Sequence, residues 1–365
     1  MPFAKISDLL EDVRLTSKVQ KTQFLPAGRY PIVDQSENFI AGYWNDEADV
    51  FRVSRPLVLF GDHTRRFKYV DFDFVLGADG VKVLQFDERV LPRYAYFASG
   101  VLKLRNLGYS RHYKELLSHE IPLPPLEEQR RIVAEIEGYQ QVIDGARQIL
   151  SAYTPRFIID PEWPLVEFRE AATFTSGGTP AKTNSKYWTG RIPWVSAKDM
   201  KSERLADSEL YVSDSALTET ATRLAPTGSI LILVRGMGLA NGVPVCELLA
   251  PCAFNQDIKA ALPNPGVSPR FLAAALRQEE TQFKNAMSTA AHGTLKIESE
   301  QLLKIQIPLP PLPEQDRIVA ELDAEEARLE AVRGLLPAFE AKIQRTLARV
   351  WGTAAAPEDS ASAAD

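Results

Sequence analysis

Residues 121–137 read IPLPPLEEQRRIVAEIE and residues 307–323 read IPLPPLPEQDRIVAELD, identical at 13 of 17 positions at an offset of 186 residues. Solenoid repeats recur every ~20–50 residues, so an offset this long marks two copies of a whole domain-plus-helix unit. Each copy opens like a helix. Pro124-Pro125 and Pro310-Pro311 hold the approach extended, because a residue before proline avoids the helical region. Glu127, Glu128 and Glu314 then place negative charge at the positive end of the helix dipole.

Beyond each start, apolar residues recur at alternating steps of four and three. The first copy gives Ile132, Ile136, Tyr139, Ile143, Ala146 and Leu150. The second gives Ile318, Leu322, Leu329, Val332 and Leu336, interrupted by Glu325. That is a heptad seam. Each stripe can pack its helix onto its own domain, but two matched seams in one chain suit each other better, as an antiparallel pair about a pseudo-twofold axis. The second helix continues through Phe339, Ile343, Leu347 and Val350, with a bend expected at Pro337.

Working outward, residues 1–120 mix short apolar runs with turn signals: RYPIV, RPLVLF, FDFVL and VKVLQF read as strands, and a helix is expected around 91–105. Residues 161–306 carry strand-like RIPWVS, SILILV, VPVCELL and DIKAAL, with helices expected at 214–222 and 268–287. The fold class is α+β, with two β-rich cores separated by two long antiparallel coiled-coil helices in pseudo-twofold arrangement. The expected boundaries are 1–120, the first domain; 121–160, the first spacer helix and linker; 161–306, the second domain; 307–352, the second spacer helix; and 353–365, a disordered tail without an apolar face.

Composition narrows the function classes. No apolar run approaches the ~18 residues of a bilayer span, and the N-terminus lacks a signal-peptide layout. The two cysteines, Cys246 and Cys252, show no zinc spacing. A reduced cytoplasmic protein is the default. Net charge is −6, yet Lys+Arg against Asp+Glu is 17 to 16 in residues 1–120, 15 to 15 in 161–306 and 6 to 11 in 307–365. Acidity sits in the spacer helices and the tail, and a balanced domain can still present a basic face, because fields are screened within ~8–10 Å.

Catalytic signatures are absent: no P-loop, G-x-G-x-x-G, H-E-x-x-H or G-x-S-x-G occurs. The histidines His63, His112, His119 and His292 are scattered. No Asp/Asn-Pro-Pro-aromatic tetrapeptide is present; Asp160-Pro161-Glu162-Trp163 lacks the second proline and lies in the linker. No metal site is expected.

What remains is basic, polar and aromatic side chains on loops. The first domain offers His63, Thr64, Arg65, Arg66 and Lys68, then Tyr109, Arg111 and His112. The second offers Lys182, Lys186, Lys198, Arg235, Asn241, Gln256, His292, Thr294 and Lys296. An Arg fork suits guanine, Asn or Gln suits adenine, and Lys suits phosphate. Any one of these can equally be a solvated turn, and Trp188 and Trp194 read as packing residues.

In this order the strings SGGTPAKTNSKYWTGRIPWVSAKDM, FNQD, HGTLKI, YPIVDQS, LVLFGDHT, GADGVKVL and GYSRHY, with the twice-repeated proline-rich junction, resemble the specificity subunit of type I restriction–modification systems. The resemblance covers nearly the whole chain, with a first domain shorter than the second. It implies a non-catalytic reader of double-stranded DNA with two target-recognition domains. It also implies docking of two modification subunits that bind S-adenosylmethionine and methylate adenine at N6, and through them restriction subunits using ATP and Mg, with no cofactor on this chain. A helix over 126–152 would be ~40 Å long, slightly more than one DNA turn of ~34–36 Å, so two dissimilar domains would read an asymmetric bipartite target. The junctions Pro124, Pro125, Leu126, Glu128, Gln129 and Pro310, Pro311, Leu312, Glu314, Gln315 would fix each domain to its helix and contact the partner. Two other readings stay open: the recognition part of a fused single-chain restriction–methylation enzyme, which would need methyltransferase motifs, and a coiled-coil protein scaffold.

Overall fold

The computed structural model describes residues 2–78, 80–105, 111–289 and 293–352. Tyr109, His292 and the expected tail at 353–365 lie outside them. Among the described residues the α-helices are α1 (Pro92–Gly100), α2 (Tyr113–Ser118), α3 (Leu126–Ala152), α4 (Phe168–Ala171), α5 (Asp214–Glu219), α6 (Pro269–Gln278), α7 (Glu280–Ala286), α8 (Ser299–Leu303) and α9 (Leu312–Trp351). None of the described helices is long and apolar enough to cross a membrane. The chain divides into two compact units, Met1–Ala152 with Ala331–Asp365, and Tyr153–Glu330.

In the first unit, strand Leu57–Gly61 pairs with Phe67–Val70 on one side and Val81–Leu84 on the other. A second sheet orders Lys18–Val19, Phe74–Gly77, Tyr30–Val33 and Gly42–Trp44, with Val50–Phe51 also on Phe74–Gly77. The LVLF run is apolar at every position because both faces of its strand are covered. Val58 and Phe60 join Tyr94, Ala95 and Ala98 of α1 and Ile132 and Ile136 of α3. Leu57 and Leu59 join Val33, Phe74 and Leu76.

The second unit repeats this plan with a larger core. One sheet orders Ala172–Ser176, Ile258–Pro263, Ile230–Leu233, Val245–Leu248 and Arg204–Leu205; the other orders Leu210–Val212, Ile192–Val195, Cys252–Phe254 and Leu224–Ala225. Ile230 and Ile232 face Phe271 and Leu272 of α6, while Leu231 and Leu233 face Val195, Cys246 and Phe254. The helix expected over 268–287 is two helices: α6 ends at Gln278 and α7 at Ala286, after which Met287–Thr289 is a strand. The helices expected at 91–105 and 214–222 are shorter, ending at Gly100 and Glu219.

The two junctions are superimposable in their bonding. Each unit is closed by an antiparallel pair just before the spacer helix, Phe3–Lys5 with Glu120–Pro122 and Leu165–Glu167 with Gln306–Pro308. Gln129 is fully buried; its Nε2 donates to Pro124 O and Arg89 O (both 2.9 Å), and Leu91 N donates to its Oε1 (2.8 Å). Gln315, 1% exposed, donates to Pro310 O (2.8 Å) and Gly266 O (3.2 Å) and accepts from Ser268 N (2.8 Å). Leu91 and Ser268 are the N-cap residues of α1 and α6, each followed by proline at the first helical position. The amide therefore pins the proline turn that starts the spacer helix to the start of the domain's own helix. An ion pair repeats the tie eight residues on: Arg93 Nε to Glu137 (2.7 Å) and Arg270 Nε to Asp323 (3.1 Å). Glutamine is needed because only a side chain with both donor and acceptor can satisfy an N–H and two carbonyls at once.

The seam positions divide by height along the helix. Ile132 and Ile136 are spent on the first unit's core and Ile318 and Leu322 on the second's. In the first unit the partner of α3 is the far end of α9, running antiparallel. Tyr139 meets Phe339 edge-on (5.7 Å), Arg147 meets Glu340 (3.1 Å), and Leu347 and Val350 enter the core beside Ile132. Glu325, which breaks the apolar pattern, accepts from Tyr153 Oη (2.6 Å) in the second unit. α9 runs through Pro337 as a single helix.

Burial works to raise the Glu135 carboxyl, but the Arg349 guanidinium (2.7 Å) and the Thr346 (2.8 Å) and Tyr139 (3.3 Å) hydroxyls outweigh it and hold the group below its ordinary value. A depressed carboxylate stabilises the fold fully above its unfolded pKa, and that contribution is lost as pH falls through the folded value. Glu135→Gln should therefore lower thermal stability near neutrality and flatten the acid limb, the two proteins converging from neutral into acid pH as the wild-type carboxyl protonates. Parallel melts of both proteins across that range check it, and identical acid limbs would count against the assignment.

Candidate nucleic-acid interface

In the first unit the polar loop after strand Leu57–Gly61 is locked to the 34–39 loop. His63 N donates to Gln35 Oε1 (3.1 Å), Thr64 Oγ1 donates to Gln35 O (2.8 Å), and Arg66 pairs with Glu37 (3.2 Å). Arg65 sits at φ 58°, the one non-glycine residue in the left-handed region among those described, with its N–H donated to Gly61 O (2.7 Å). One guanidinium nitrogen donates to Leu104 O (3.2 Å). Arg65 and Arg66 border a cleft of about 970 Å³ with Tyr69, Arg93 and Tyr96. The Arg93 guanidinium lies 4.5 Å from the Tyr69 ring centre and 5.3 Å from that of Phe97. Burial lifts the Tyr69 phenol above its usual value.

Two residues chosen for their basicity are buried rather than exposed. Lys68 is buried: its Nζ donates to Asn38 O (2.6 Å), lies 3.8 Å from Asp34, and burial pulls its pKa below the ordinary lysine value. It fastens the 34–39 loop. His112 is fully buried, with Nδ1 2.9 Å from Asp62 O and its own N–H donated to the same oxygen. It fixes the start of α2. Arg111 beside it is exposed.

In the second unit the chosen residues gather at one end of the sheets. The ends of Ala172–Ser176, Ile192–Val195 and Cys252–Phe254 meet there: Gly178 N donates to Phe254 O (2.9 Å) and Asn255 N to Val195 O (3.0 Å). Gly177 is required, since a Cβ would sit 2.3 Å from the carbonyl oxygens of Phe254 and Asn255. Thr179 Oγ1 donates to Gln256 Oε1 (2.5 Å), and these two residues, Lys182, Lys198 and Asn255 line a hollow of about 390 Å³. Val234 N donates to Asp257 O (2.8 Å), and Arg235 bridges to Lys296, which brings the 235–241 loop and Thr294 to the same end. Lys182, Lys198, Arg235, Asn241 and Gln256 are exposed. Lys186 and Lys296 are committed locally, Lys186 to Glu219 (2.6 Å) and Lys296 to Glu298, and these contacts hold both carboxyls low. Trp194 is buried with Nε1 donated to Gly178 O (3.1 Å), and Trp188 stands edge-on to it, so both are packing residues.

Of the junction residues, Gln129, Gln315, Pro124 and Pro310 are buried within their own units, whereas Pro125, Pro311 and Leu312 are exposed. Sequence reasoning missed Arg93 and Arg270. The signal was available as a second, shorter repeat: VLPRY at 90–94 and VSPRF at 267–271 share Val, Pro and Arg. Among the described residues no group of three His, Cys, Asp or Glu side chains is placed to hold a metal ion.

Residues 161–335 match the family described as the type I restriction modification DNA specificity domain. Over 84% of this chain and 82% of the relative, the sequence is 26% identical to the type I restriction enzyme EcoR124I/EcoR124II specificity subunit of Escherichia coli. It is 25% identical over 168 residues to the type I restriction enzyme MjaIX specificity subunit of Methanocaldococcus jannaschii, covering 45% of this chain and 38% of that one. A chain solved in work on complex assembly and conformational transition of the type I R-M system shares the fold, at a TM-score of 0.58 and 19% identity over 96% of both chains.

Proposed function

We propose that this chain, which is similar to the specificity subunits of type I restriction–modification systems, reads two different half-sites of one asymmetric, bipartite DNA target with its two units. The chain is a non-catalytic DNA-recognition subunit. The observation that carries the bipartite reading is the repeated glutamine clamp. Gln129 and Gln315 attach dissimilar loop sets to equivalent helices by the same three hydrogen bonds. A duplicated frame with unlike readers suits two copies of one partner and two unlike half-sites.

The partners in this proposal are double-stranded DNA, two adenine-N6 modification subunits carrying S-adenosylmethionine and, through them, restriction subunits using ATP and Mg, in the cytoplasm. Because the clamp buries its glutamines, partner contact at the junctions falls to exposed Pro125, Pro311 and Leu312. The test is DNA binding by the assembled complex on targets mapped from methylated adenines. Changing base pairs in one half-site should be sensed only by variants of one unit. Methyl transfer by this chain alone would refute the reading.

Exposed Lys182 and Lys198 suit phosphate. Replacing both with alanine should weaken cognate and non-cognate duplexes alike, and reduce the slope of log affinity against log salt by about 2, at ~0.9 per phosphate contact. A salt titration of the complex checks this, and an unchanged slope would remove these lysines from the interface.

A further inference from the structure

The 235–241 loop presents an apolar side chain that the fold does not use. Met237 is 72% exposed, at the start of a short 3-10 helix, Met237–Asn241. The loop is nonetheless anchored. Leu239 is buried in the core, Gly236 N donates to Leu295 O (3.1 Å), and Arg235 bridges to Lys296. Glycines stand at both ends at φ 143° and 115°, conformations other residues rarely adopt, so the chain turns out and back within seven residues. The result is a fixed platform holding a thioether chain in water between exposed Arg235 and Asn241.

Arginine and asparagine offer forks to guanine and adenine edges, and the one base-edge group neither can read is the thymine 5-methyl. An unbranched, polarisable side chain suits contact with such a group. Resting on the DNA-reading function proposed above, we propose that Met237 is a specificity-determining residue of the second unit, contacting a thymine methyl in the major groove beside the base read by Arg235.

The experiment uses the complex with its modification subunit and duplexes carrying the mapped target, in which each thymine is replaced in turn by deoxyuridine, which lacks only the methyl. One position in the second unit's half-site should weaken binding about 4-fold, the value of one buried methyl-sized group. Met237→Ala should bind the thymine duplex correspondingly less tightly and be indifferent to uracil at that position, while Met237→Leu retains most of the difference. A thermal melt of each variant shows whether the fold is intact, which exposure of Met237 leads one to expect. Uracil sensitivity unchanged in a folded Met237→Ala, or an equal loss on cognate and non-cognate DNA, overturns the assignment. A complex that shows no sequence selectivity overturns instead the underlying reading.

Discussion

Replacing Gln315 by leucine should cost the second unit about 3 kcal/mol, and Gln129→Leu should do the same to the first. The magnitude follows from what is left behind. Leucine keeps most of the volume but abandons the Ser268 N–H and the carbonyls of Pro310 and Gly266 at a site 1% exposed. Each buried group stranded without a partner costs about 1–3 kcal/mol. Partial re-pairing keeps the sum below the upper bound. The loss should be local: hydrogen exchange after Gln315→Leu should rise at the start of α6 and α9, and after Gln129→Leu at the start of α1 and α3. Gln315→Glu should rescue poorly at neutral pH, because a carboxylate cannot donate to Pro310 O. Variants with wild-type stability would mean that the repeated glutamine serves something other than the clamp.

The repeat announced where the clamp is, but not what it grips. Gln129 and Gln315 stand out in IPLPPLxEQ; their partners lie about forty to fifty residues upstream in a proline-arginine pair too short to stand out alone. The heptad stripes were visible, yet their mates were not. The first two seam positions of each helix are used by its own unit, and the far end of α9, outside the repeat, supplies the contacts to α3 in the first unit. That pairing depends on a register between segments some 200 residues apart, which periodicity does not encode.

The loop residues fared unevenly for a physical reason. Lys68 and Val70 share a parity on strand Phe67–Val70, and both are buried while Phe67 and Tyr69 are half-buried. In the sequence only Val70, on the same side of the pleat, marks Lys68 as inward, while the flanking aromatics Phe67 and Tyr69 point to the opposite face. His112 carries no such mark, since its burial comes from Asp62, fifty residues away. In the second unit, exposed Lys182, Lys198, Arg235 and Gln256 lie on loops brought to one end by strand pairing, an outcome that loop composition alone does not contain.

Arg65→Gly should make the first unit more stable and its DNA reading worse, and the opposition of the two effects is the test. Arg65 holds φ 58°, where an L side chain costs about 1–2 kcal/mol and glycine nearly nothing. Such strain persists when the surroundings over-determine it, and it concentrates where a side chain must be aimed. Here the hydrogen bonds of His63 and Thr64 to Gln35 and of Arg65 N to Gly61 O fix the turn. The guanidinium is thereby held at the cleft edge, steadied by Leu104 O. If the fork reads guanine, its loss removes about 1–3 kcal/mol of discrimination at one base pair, a factor of roughly 5 to 150. Arg65→Ala should lose the same discrimination without the gain in stability, and Arg65→Lys should keep affinity but not selectivity, since a point charge lacks the fork. Binding of the complex to targets substituted in each half-site reads the first effect, and thermal unfolding reads the second. Equal loss at both half-sites would sink the assignment. A uniform loss on every sequence, with the salt slope reduced by about 1, would instead make Arg65 a phosphate contact. Stability that falls in Arg65→Gly would show that the arginine side chain, through Leu104, holds the loop more than the backbone strains it.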